Sequence, residues 1–395
     1  MNKKTIDQVE LQGKRVFIRV DFNVPLTPEG TVREDTRIRR ALPTIQKAIE
    51  KGGRVVLASH LGRPKGQRVP EMSLKPAAER LSELLGQPVG LAPDCIGDDV
   101  AALADALKPG EVLLLENVRY HAGETTNDPE FAKALAMLAD IHVNDAFGTA
   151  HRAHASNVGV SELVKPSVAG LLMANEIEYF NRAMAQPERP VAAILGGSKV
   201  SGKINVIDAL LDRVDKVLIG GGMAFTFFKA LGYDVGNSLV EAEMTDVAQK
   251  AMDKAKQRGV ELILPVDAIA AQAIEEGAET QVVSVKSVPE GWMGLDIGPD
   301  SVKLFQDALA DVKTVVWNGP MGVFEKPDFA TGTVELAKYI GASSALSVIG
   351  GGDTDAAVKQ AGVADQVSYI STGGGAFLEL LEGKTLPGIA ALDDA

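Results

Sequence analysis

The chain has 395 residues, of which 46% are hydrophobic and 24% are charged, and its formal net charge is −13. This composition is typical of a globular protein of about two domains, and the acidic balance argues against general nucleic-acid binding. A single cysteine, Cys95, excludes an internal disulfide and a cysteine-based metal cluster. No apolar stretch is long enough for a membrane span or resembles a secretory signal, so we expect a cytoplasmic protein.

The charge is unevenly distributed along the chain. Residues 1–174 contain 22 basic and 22 acidic residues, whereas residues 175–395 contain 18 basic and 31 acidic residues. Twelve of the 16 arginines lie in the first part. This distribution is either incidental or indicates that the first part binds a compact anion, because guanidinium groups suit carboxylate and phosphate.

Short apolar runs rich in β-branched residues alternate with helix-length segments, which predicts parallel strands joined by helices. In the first half the predicted strands are residues 16–20, 54–58, 112–115 and 141–143. In the second half they are residues 191–195, 217–219, 262–264, 314–317, 346–349 and 367–370. Residues 171–186 contain no glycine or proline and predict a helix. It is either an ordinary surface helix or a connector between two doubly wound domains, and its position between the two sets of strands favours the connector.

Polar side chains follow each predicted strand of the first half. Arg19, Asp21 and Asn23 share one face of an extended segment, because side chains alternate with a period of two. His60 and Arg63 follow the second strand. The residues that follow the third and fourth strands are Arg119, Asp145, His151, Arg152 and His154. Four consecutive strand ends that carry histidine or arginine favour a shared anion site.

Some polar residues in this half also have structural explanations. Asp145 can simply anchor its own loop, and His142, inside an apolar run, is expected to be a core histidine. Arg37, Arg39 and Arg40 can form a solvated helix face. The residue pattern alone leaves these alternatives open.

Glycine clusters follow the predicted strands of the second half. The loop 196–203 reads GGSKVSGK, and the spacing from Gly197 to Lys203 is that of a phosphate-binding loop. However, Ile204 stands where a P-loop NTPase needs a hydroxyl group to bind Mg²⁺. Further glycines occur at 220–222, 319, 350–352 and 373–375. Since ligands bind at the carboxyl edge of open α/β sheets, these loops predict a phosphate-bearing ligand.

Seven segments carry a family resemblance that extends over essentially the whole chain. They are RVDFNVP (19–25), HLGRP (60–64), DAFGTAHRAH (145–154), GGSKVSGK (196–203), NGPMGVFE (318–325), GGGDT (350–354) and STGGGA (371–376). In this order they resemble the phosphoglycerate kinase family of bacterial type.

The resemblance implies two Rossmann-like, doubly wound parallel-sheet α/β domains that face a cleft. Residues 1–170 would bind 3-phosphoglycerate or 1,3-bisphosphoglycerate, and a tail from about 378 to 395 would pack back on them. Residues 171–186 would form the connector helix, and residues 187–377 would bind Mg-ATP or Mg-ADP. The implied enzyme is a monomeric glycolytic and gluconeogenic phosphotransferase. It transfers a phosphoryl group directly and in line between ATP and the carboxylate of 3-phosphoglycerate, with hinge-bending closure of the domains.

The resemblance also implies the site residues. Substrate-binding residues would be Asp21, Phe22, Asn23, Arg37, His60, Leu61, Gly62, Arg63, Arg119 and Arg152. Nucleotide-binding residues would be Gly197, Lys199, Lys203, Gly221, Asn318, Glu325, Gly351, Gly352, Asp353 and Thr354. Catalytic residues would be Arg37, Lys203, Gly352 and Gly375, and Asp353 would hold Mg²⁺.

Two other interpretations compete with this one. A P-loop ATPase or small-molecule kinase could be built on residues 197–203, although Ile204 and the basic strand ends of the first half weigh against it. A nucleotide-binding regulator that has kept the fold without turnover is the second alternative. The presence of Arg37, Lys203 and Asp353 weighs against that alternative.

Overall fold

The computed structural model describes residues 1–395, which divide into two compact units. The first consists of Met1–Glu178 together with Thr385–Ala395, and the second of Tyr179–Lys384. The division falls inside the segment 171–186, which the sequence predicts to be one helix. That segment is an α-helix over Leu171–Phe180, followed by a wider π-helical turn over Asn181–Ala185.

The first unit is built on a six-stranded parallel sheet. Its strands are β1 (Arg15–Arg19), β2 (Arg54–Ala58), β3 (Val89–Leu91), β4 (Val112–Leu114), β5 (Ile141–Asn144) and β6 (Ser167–Ala169). Their order across the sheet is β3-β4-β2-β1-β5-β6. The chain therefore leaves β1 first toward β2 and later returns to its other side with β5.

The helices of the first unit connect and cover these strands. They are α1 (Thr36–Glu50), α2 (Lys75–Leu85), α3 (Asp98–Ala106), α4 (Gly123–Thr126), α5 (Pro129–Ala136), α6 (Val160–Leu163), α7 (Leu171–Phe180) and α15 (Pro387–Ala390). Alternate residues of the central strand lie in different cores. Val16 and Ile18 pack in one apolar cluster, whereas Phe17 packs in another. A strand buried on both faces needs a continuous apolar sequence, which explains why this strand could be predicted from its apolar run.

The last eleven residues belong to the first unit because buried polar groups hold them there. Asn144 Nδ2 donates to the Gly388 carbonyl at 3.0 Å, and Ser161 Oγ donates to the Ala391 carbonyl at 2.8 Å. Ile389 and Leu392 are buried as well. The tail is thus an integral part of this core.

Asp145 and His142 have structural roles in the first unit. Asp145 Oδ1 accepts a hydrogen bond from the Met173 amide at 3.2 Å, at the start of α7. Burial raises the pKa of Asp145 to about 6, although hydrogen bonds from Thr44 and from the Met173 backbone lower it in part. A side chain at Gly170 would meet Asp145 Oδ1 at 2.1 Å, so the helix start needs glycine there. His142 is fully buried, as expected of a core histidine, and its Nδ1 lies 2.8 Å from Ser167 Oγ.

The second unit contains a six-stranded parallel sheet and a separate three-stranded antiparallel sheet. The parallel strands are β7 (Val191–Leu195), β8 (Lys216–Ile219), β9 (Glu261–Ile263), β13 (Thr314–Asn318), β14 (Leu346–Gly350) and β15 (Tyr369–Ile370). They lie in the order β15-β14-β13-β7-β8-β9. The antiparallel strands are β10 (Asp267–Ala271), β11 (Thr280–Ser284) and β12 (Met293–Ile297), in the order β11-β10-β12.

Helices connect the strands of the second unit. They are α8 (Ile204–Leu210), α9 (Ala224–Ala230), α10 (Thr245–Arg258), α11 (Pro299–Leu309), α12 (Thr331–Ala342), α13 (Gly352–Gln360) and α14 (Gly374–Leu381). The main core of this unit gathers around the fully buried Trp317 and Phe305. None of the helices in either unit has the length and apolarity needed to cross a bilayer.

All ten strands predicted from the sequence are present, with ends shifted by at most two residues. The sequence missed the short edge strands β3 and β6 and the whole antiparallel sheet. β11 alternates between exposed and buried positions and so lacks the continuous apolar run that marks a buried parallel strand. The predicted parallel-sheet architecture is therefore present in both units, and the second unit adds a small antiparallel sheet.

We expect a leucine in the first core to contribute far more to stability than an exposed one. Leu57 on β2 is fully buried, whereas Leu163 at the end of α6 is 55% exposed. Leu57→Ala should lower the free energy of unfolding by about 2–5 kcal/mol, because it removes buried methyl groups and leaves a cavity. Leu163→Ala, the matched control, should change it by about 0.5 kcal/mol or less. Urea unfolding measures both, and equal losses would contradict the assigned burial.

Candidate functional site

Parallel pairing in the first unit brings the carboxyl ends of its strands to one edge of the sheet. The strand order reverses between β1 and β5, and such switch points are where open α/β sheets bind ligands. The polar groups that the sequence placed after β1, β2, β4 and β5 all follow strands that end at this edge. The expected clustering of these strand ends is therefore observed.

A buried charge network lies beneath this edge. The Arg19 side chain, at the end of β1, is completely buried, and its Nε donates to Ser156 Oγ at 2.7 Å. Glu124 is also fully buried and lies 3.9 Å from Arg19 Nη2. It accepts hydrogen bonds from the Ser156 amide at 2.9 Å and the Ser156 hydroxyl at 2.7 Å. Burial alone would raise the pKa of Glu124, but His154, Arg19 and Ser156 together lower it. Glu124 thus remains the ionised partner of Arg19.

His60 connects this network to the edge of the sheet. Its Nδ1 lies 3.2 Å from Arg19 Nη2, and the ring is 4% exposed. Burial, followed by the charges of Arg19 and Arg119, holds the pKa of His60 well below its usual value. The ring is therefore neutral at physiological pH.

The loop after β1 is held in place by hydrogen bonds to the loop after β2. Asn23 Oδ1 accepts from the Gly62 amide at 2.9 Å, and the Phe22 amide donates to Ser59 Oγ at 2.8 Å. The side chains of Phe22 and Leu61 are buried in the core of this unit. These two residues can therefore contribute only backbone groups to a ligand.

Arg37 lies in the first turn of α1 and is 43% exposed. Its Nη1 donates to Asp21 Oδ2 at 3.0 Å. The ion pair fixes one edge of the guanidinium, and the remaining donors are available to an anion. Exposure means that this pair contributes little to folding stability.

A basic depression of about 510 Å³ lies beside the loop that follows β2. Its lining includes Arg63, Lys65, Arg119, His121 and Arg152 and no carboxylate. Arg119 Nη1 donates to the Gly62 carbonyl at 2.9 Å. Burial, with the charges of Arg19 and Arg152, lowers the pKa of Arg119 to about 10, so it stays cationic at neutral pH. The depression is suited to a phosphate or carboxylate group.

Sequence reasoning missed two members of this site. Lys65 lines the depression and adopts a positive φ of 56°, and Glu124 supplies the buried counter-charge of Arg19. Lys65 follows the HLGRP segment directly and could have been included with it. No local signal marks Glu124, because its partners Arg19 and Ser156 are distant from it in sequence.

In the second unit the strand order reverses between β7 and β13. The glycine clusters follow β7, β8, β13, β14 and β15, which all end at the same edge. Three of these loops are directly hydrogen-bonded to one another. The Gly197 amide donates to the Pro320 carbonyl, and the Gly221 amide donates to the Met321 carbonyl, each at 3.0 Å. The edge is therefore a layer of closely packed backbone.

This close packing requires glycine. A Cβ at Gly196 would lie 2.1 Å from the Pro320 carbonyl oxygen, and one at Gly221 would lie 2.6 Å from Gly197 backbone atoms. Gly319 has a φ of +101°, and a Cβ there would meet the Gly196 oxygen at 2.3 Å. These glycines thus allow three loops to approach one another and leave the backbone open to a ligand.

Lys203 lies at the switch point, immediately before α8. Its Nζ donates to the Gly196 carbonyl at 2.6 Å and to the Asn318 carbonyl at 2.8 Å. These carbonyls follow β7 and end β13. Burial lowers the pKa of Lys203 to about 8, although the charge of Asp353 opposes the shift. The ammonium group is thus positioned by backbone and has a third donor for an anion.

The loop that carries Lys199 is exposed and is tethered by a carboxylate. The Ser201 amide donates to Glu241 Oε2 at 3.0 Å, and the Ser201 hydroxyl contacts the other oxygen of Glu241. Lys199 is exposed, whereas Lys203 is half-buried. Of the two lysines, only Lys203 is fixed by backbone carbonyls.

The remaining predicted nucleotide residues lie on the neighbouring loops. Asn318 Nδ2 donates to the Gly350 carbonyl at 2.9 Å, and Thr354 Oγ1 accepts from the Gly319 amide at 2.7 Å. Gly351 precedes α13, and Gly352 is its first residue, with open space where a Cβ would stand. Helix N-termini such as this one offer free backbone donors to anions.

Asp353, Gly375 and Glu325 complete the predicted set. Asp353 is exposed in the first turn of α13, and its charge acts on Lys203. An exposed carboxylate next to this edge of glycine backbone suits Mg²⁺, which is usually held by one or two carboxylates together with ligand phosphates. Gly375 lies in the first turn of α14, and Glu325 is exposed in the turn after β13.

Comparison with known proteins identifies the family. The family model for phosphoglycerate kinase matches residues 6–384. The chain belongs to the phosphoglycerate kinase family. It is 60% identical to the phosphoglycerate kinase of Acaryochloris marina over the full length of both chains. It is 57% identical to that of Geobacter metallireducens over 98% of each.

Solved structures of the family agree with this assignment. The phosphoglycerate kinase of Coxiella burnetii superimposes with a TM-score of 0.91 at 45% identity, and that of Pyrococcus horikoshii with a TM-score of 0.82 at 34% identity. Each comparison covers 98% of both chains. The expected fold of two parallel-sheet α/β domains is thus confirmed.

The packing of the glycine loops predicts a sharp contrast between two alanine substitutions. Gly319→Ala should destabilise the chain by about 2 kcal/mol or more, because the residue has a positive φ and no room for a Cβ. Gly202→Ala is the matched control, since Gly202 has no atom within 4 Å of a Cβ and no positive φ. It should be neutral or stabilising by up to about 1 kcal/mol. Thermal and urea unfolding compare the two, and a harmless Gly319→Ala would refute the packing argument.

Proposed function

We propose that this chain catalyses reversible phosphoryl transfer between ATP and the carboxylate of 3-phosphoglycerate, giving ADP and 1,3-bisphosphoglycerate. Its family consists of glycolytic phosphotransferases that use these two substrates. The observation that carries the proposal is the basic edge of the first sheet. There, arginines surround a depression without carboxylates, as a small phosphorylated acid requires. The glycine edge of the second unit supports it as a nucleotide site.

The chemistry agrees with the residues available. The nucleophile is a carboxylate, which is already ionised near neutral pH and needs no general base. His60 is buried and neutral beside three arginines, so its position suits ligand binding. The main barrier is electrostatic, because an anion must approach an anionic phosphoryl group. Catalysis therefore depends on positioning and on cations around the transferred oxygens.

We assign the cationic roles to Arg37 and Lys203. Arg37 would stabilise the transferring oxygens from the 3-phosphoglycerate side, and Lys203 would do so from the nucleotide side. Backbone amides at Gly352 and Gly375, both in first turns of helices, would add donors for phosphate oxygens. Asp353 and the nucleotide would hold Mg²⁺, which would neutralise further phosphate charge.

The substrate-binding set comprises the basic residues described above together with Asp21 and Asn23. The ion pair with Asp21 and the hydrogen bond of Asn23 to the Gly62 amide hold their loops in place for the glycerate end of the substrate. An acyl phosphate reacts readily with water, so we propose that the two units close during transfer. A monomer in the cytoplasm, independent of nucleic acid, suits this activity.

The P-loop alternative is disfavoured by the same residues. Ile204 begins α8 at the position where a P-loop enzyme needs a magnesium-binding hydroxyl group. A P-loop mechanism also leaves the basic depression of the first unit without a role. Only a measurement of turnover distinguishes the proposed enzyme from a regulator that binds nucleotide without catalysis.

A coupled assay tests the proposal. With 3-phosphoglycerate and Mg-ATP, formation of 1,3-bisphosphoglycerate is followed through its reduction by a coupling dehydrogenase. We expect ADP release that depends on 3-phosphoglycerate. ATP hydrolysis that is independent of the acid would instead support a P-loop ATPase, and nucleotide binding without turnover would support the regulator.

Arg37→Ala should lower kcat by at least about a hundredfold, because the lost cation stabilises charge mainly in the transition state. The dissociation constant of Mg-ADP should change by less than about threefold, since Arg37 lies on the first unit. Arg39→Ala is the matched control: Arg39 lies on the same helix but pairs with Asp35. Steady-state kinetics and calorimetry give both quantities, and normal turnover in the Arg37 variant would remove it from the catalytic set.

Nucleotide affinity should decrease as pH rises above about 8. Burial lowers the pKa of Lys203 to about 8, so the free chain loses this positive charge above that pH. A neutral amine attracts phosphate less, and the dissociation constant of Mg-ADP should rise several-fold between about pH 8 and 9. In Lys203→Arg the guanidinium stays charged, and the pH dependence in this range should disappear. Calorimetry at a series of pH values measures this, and identical profiles would exclude Lys203 as the titrating group.

A further inference from the structure

The hydrogen-bond donors of Arg19 determine the direction of its hydrogen bond with His60. A guanidinium has only N–H donors and no acceptor, and it remains protonated in proteins. Arg19 Nε donates to Ser156 Oγ, Nη1 donates to the Val20 carbonyl, and Nη2 lies 3.2 Å from His60 Nδ1. The contact with His60 can therefore be a hydrogen bond only if Nδ1 is the acceptor.

An accepting Nδ1 carries no proton, so the single proton of the neutral ring must be on Nε2. The surroundings also exclude the imidazolium form. His60 is 4% exposed, and the charges of Arg19, Arg119, Arg37 and His154 all act against a second proton. Glu124, the one buried carboxylate in this network, is occupied by Ser156 and lies 3.9 Å from Arg19.

We propose that Arg19 is a positioning residue that fixes His60 as a neutral Nε2–H tautomer and so makes this ring a hydrogen-bond donor to an anionic oxygen of the acid substrate. The inference rests on the proposed function for the identity of that substrate. It assigns the direction of the hydrogen bond, the protonation state of the ring and the group that sets both.

A neutral donor has a physical advantage at this position. The edge already holds the charges of Arg37, Arg63, Arg119 and Arg152, and a further cation in the same place would add mutual repulsion before the substrate arrives. A ring with an accepting Nε2 would instead repel an anionic oxygen. Arg19 excludes both forms, because it donates to Nδ1 and adds positive charge next to the ring.

The tautomer can be read directly in the complete, ligand-free protein. Two-bond ¹H–¹⁵N correlation spectra of the ¹⁵N-labelled chain resolve the ring nitrogens of its five histidines, and His60→Gln assigns the His60 signals. We expect an unprotonated Nδ1 and a protonated Nε2 throughout pH 5–9. A proton on Nδ1, or protonation of both nitrogens near pH 6–7, would overturn the proposal.

A double variant tests the part played by Arg19. Arg19→Met combined with Glu124→Gln removes both buried charges while keeping similar side-chain volumes, and circular dichroism checks that it folds. His60 should then populate both neutral tautomers, because Nδ1 no longer faces an obligatory donor. An unchanged His60 spectrum in the folded double variant would show that Arg19 does not set the ring. If the variant does not fold, the spectrum of the unmodified chain still decides the tautomer.

Amide substitutions test the donor position during turnover. Glutamine can place an N–H near the site of Nε2, whereas asparagine can place one only near the site of Nδ1. The KM for 3-phosphoglycerate should rise at least about tenfold in His60→Asn and clearly less in His60→Gln, with the KM for ATP unchanged in both. Equal rises would contradict the Nε2 donor. Absence of any turnover with 3-phosphoglycerate in the unmodified chain would refute the proposed function, whereas the spectra would still decide the tautomer.

Discussion

Parallel strand pairing is the constraint on which both sites depend. In each unit it brings the carboxyl ends of the parallel strands to one edge of the sheet. The strand order reverses between β1 and β5 in the first unit and between β7 and β13 in the second. The loops diverge at these switch points and expose backbone and strand-end side chains together. Two cations lie at these switch points, the fully buried Arg19 and the half-buried Lys203, and backbone carbonyls anchor both.

The two edges use this geometry in different ways. The first presents side-chain cations supported by a buried layer, in which Glu124 and Ser156 satisfy Arg19. An isolated buried charge would be costly, so the counter-charge is what allows a guanidinium beneath this edge. The second edge presents backbone: glycines at 196, 221 and 319 let three loops touch, and one lysine supplies the charge. The side-chain cations of the first edge suit a compact acid, and the backbone donors of the second suit the polyphosphate of a nucleotide.

Much of the architecture could be predicted because it depends on local residue patterns. Buried parallel strands such as 191–195 read as continuous apolar runs, and the glycine clusters appear directly after them. The antiparallel sheet could not be read in this way, since β11 alternates between exposed and buried residues and β10 contains three alanines. The helix predicted over 171–186 is present over 171–185, but its last turn is π-helical, and no local residue pattern marks that change in hydrogen bonding.

The sequence by itself determined the family, the two sets of strands and the residue types at the strand ends, because these depend on order along the chain. Only the tertiary structure decided what those residues can do. It buried the side chains of Phe22 and Leu61, so that only their backbone is available, and it gave Arg19 the counter-charge of Glu124. It also placed Lys203 Nζ against the Gly196 carbonyl of its own loop and against the Asn318 carbonyl, 115 residues away in sequence. Protonation and hydrogen-bond direction follow from such contacts between distant segments, which local sequence does not encode.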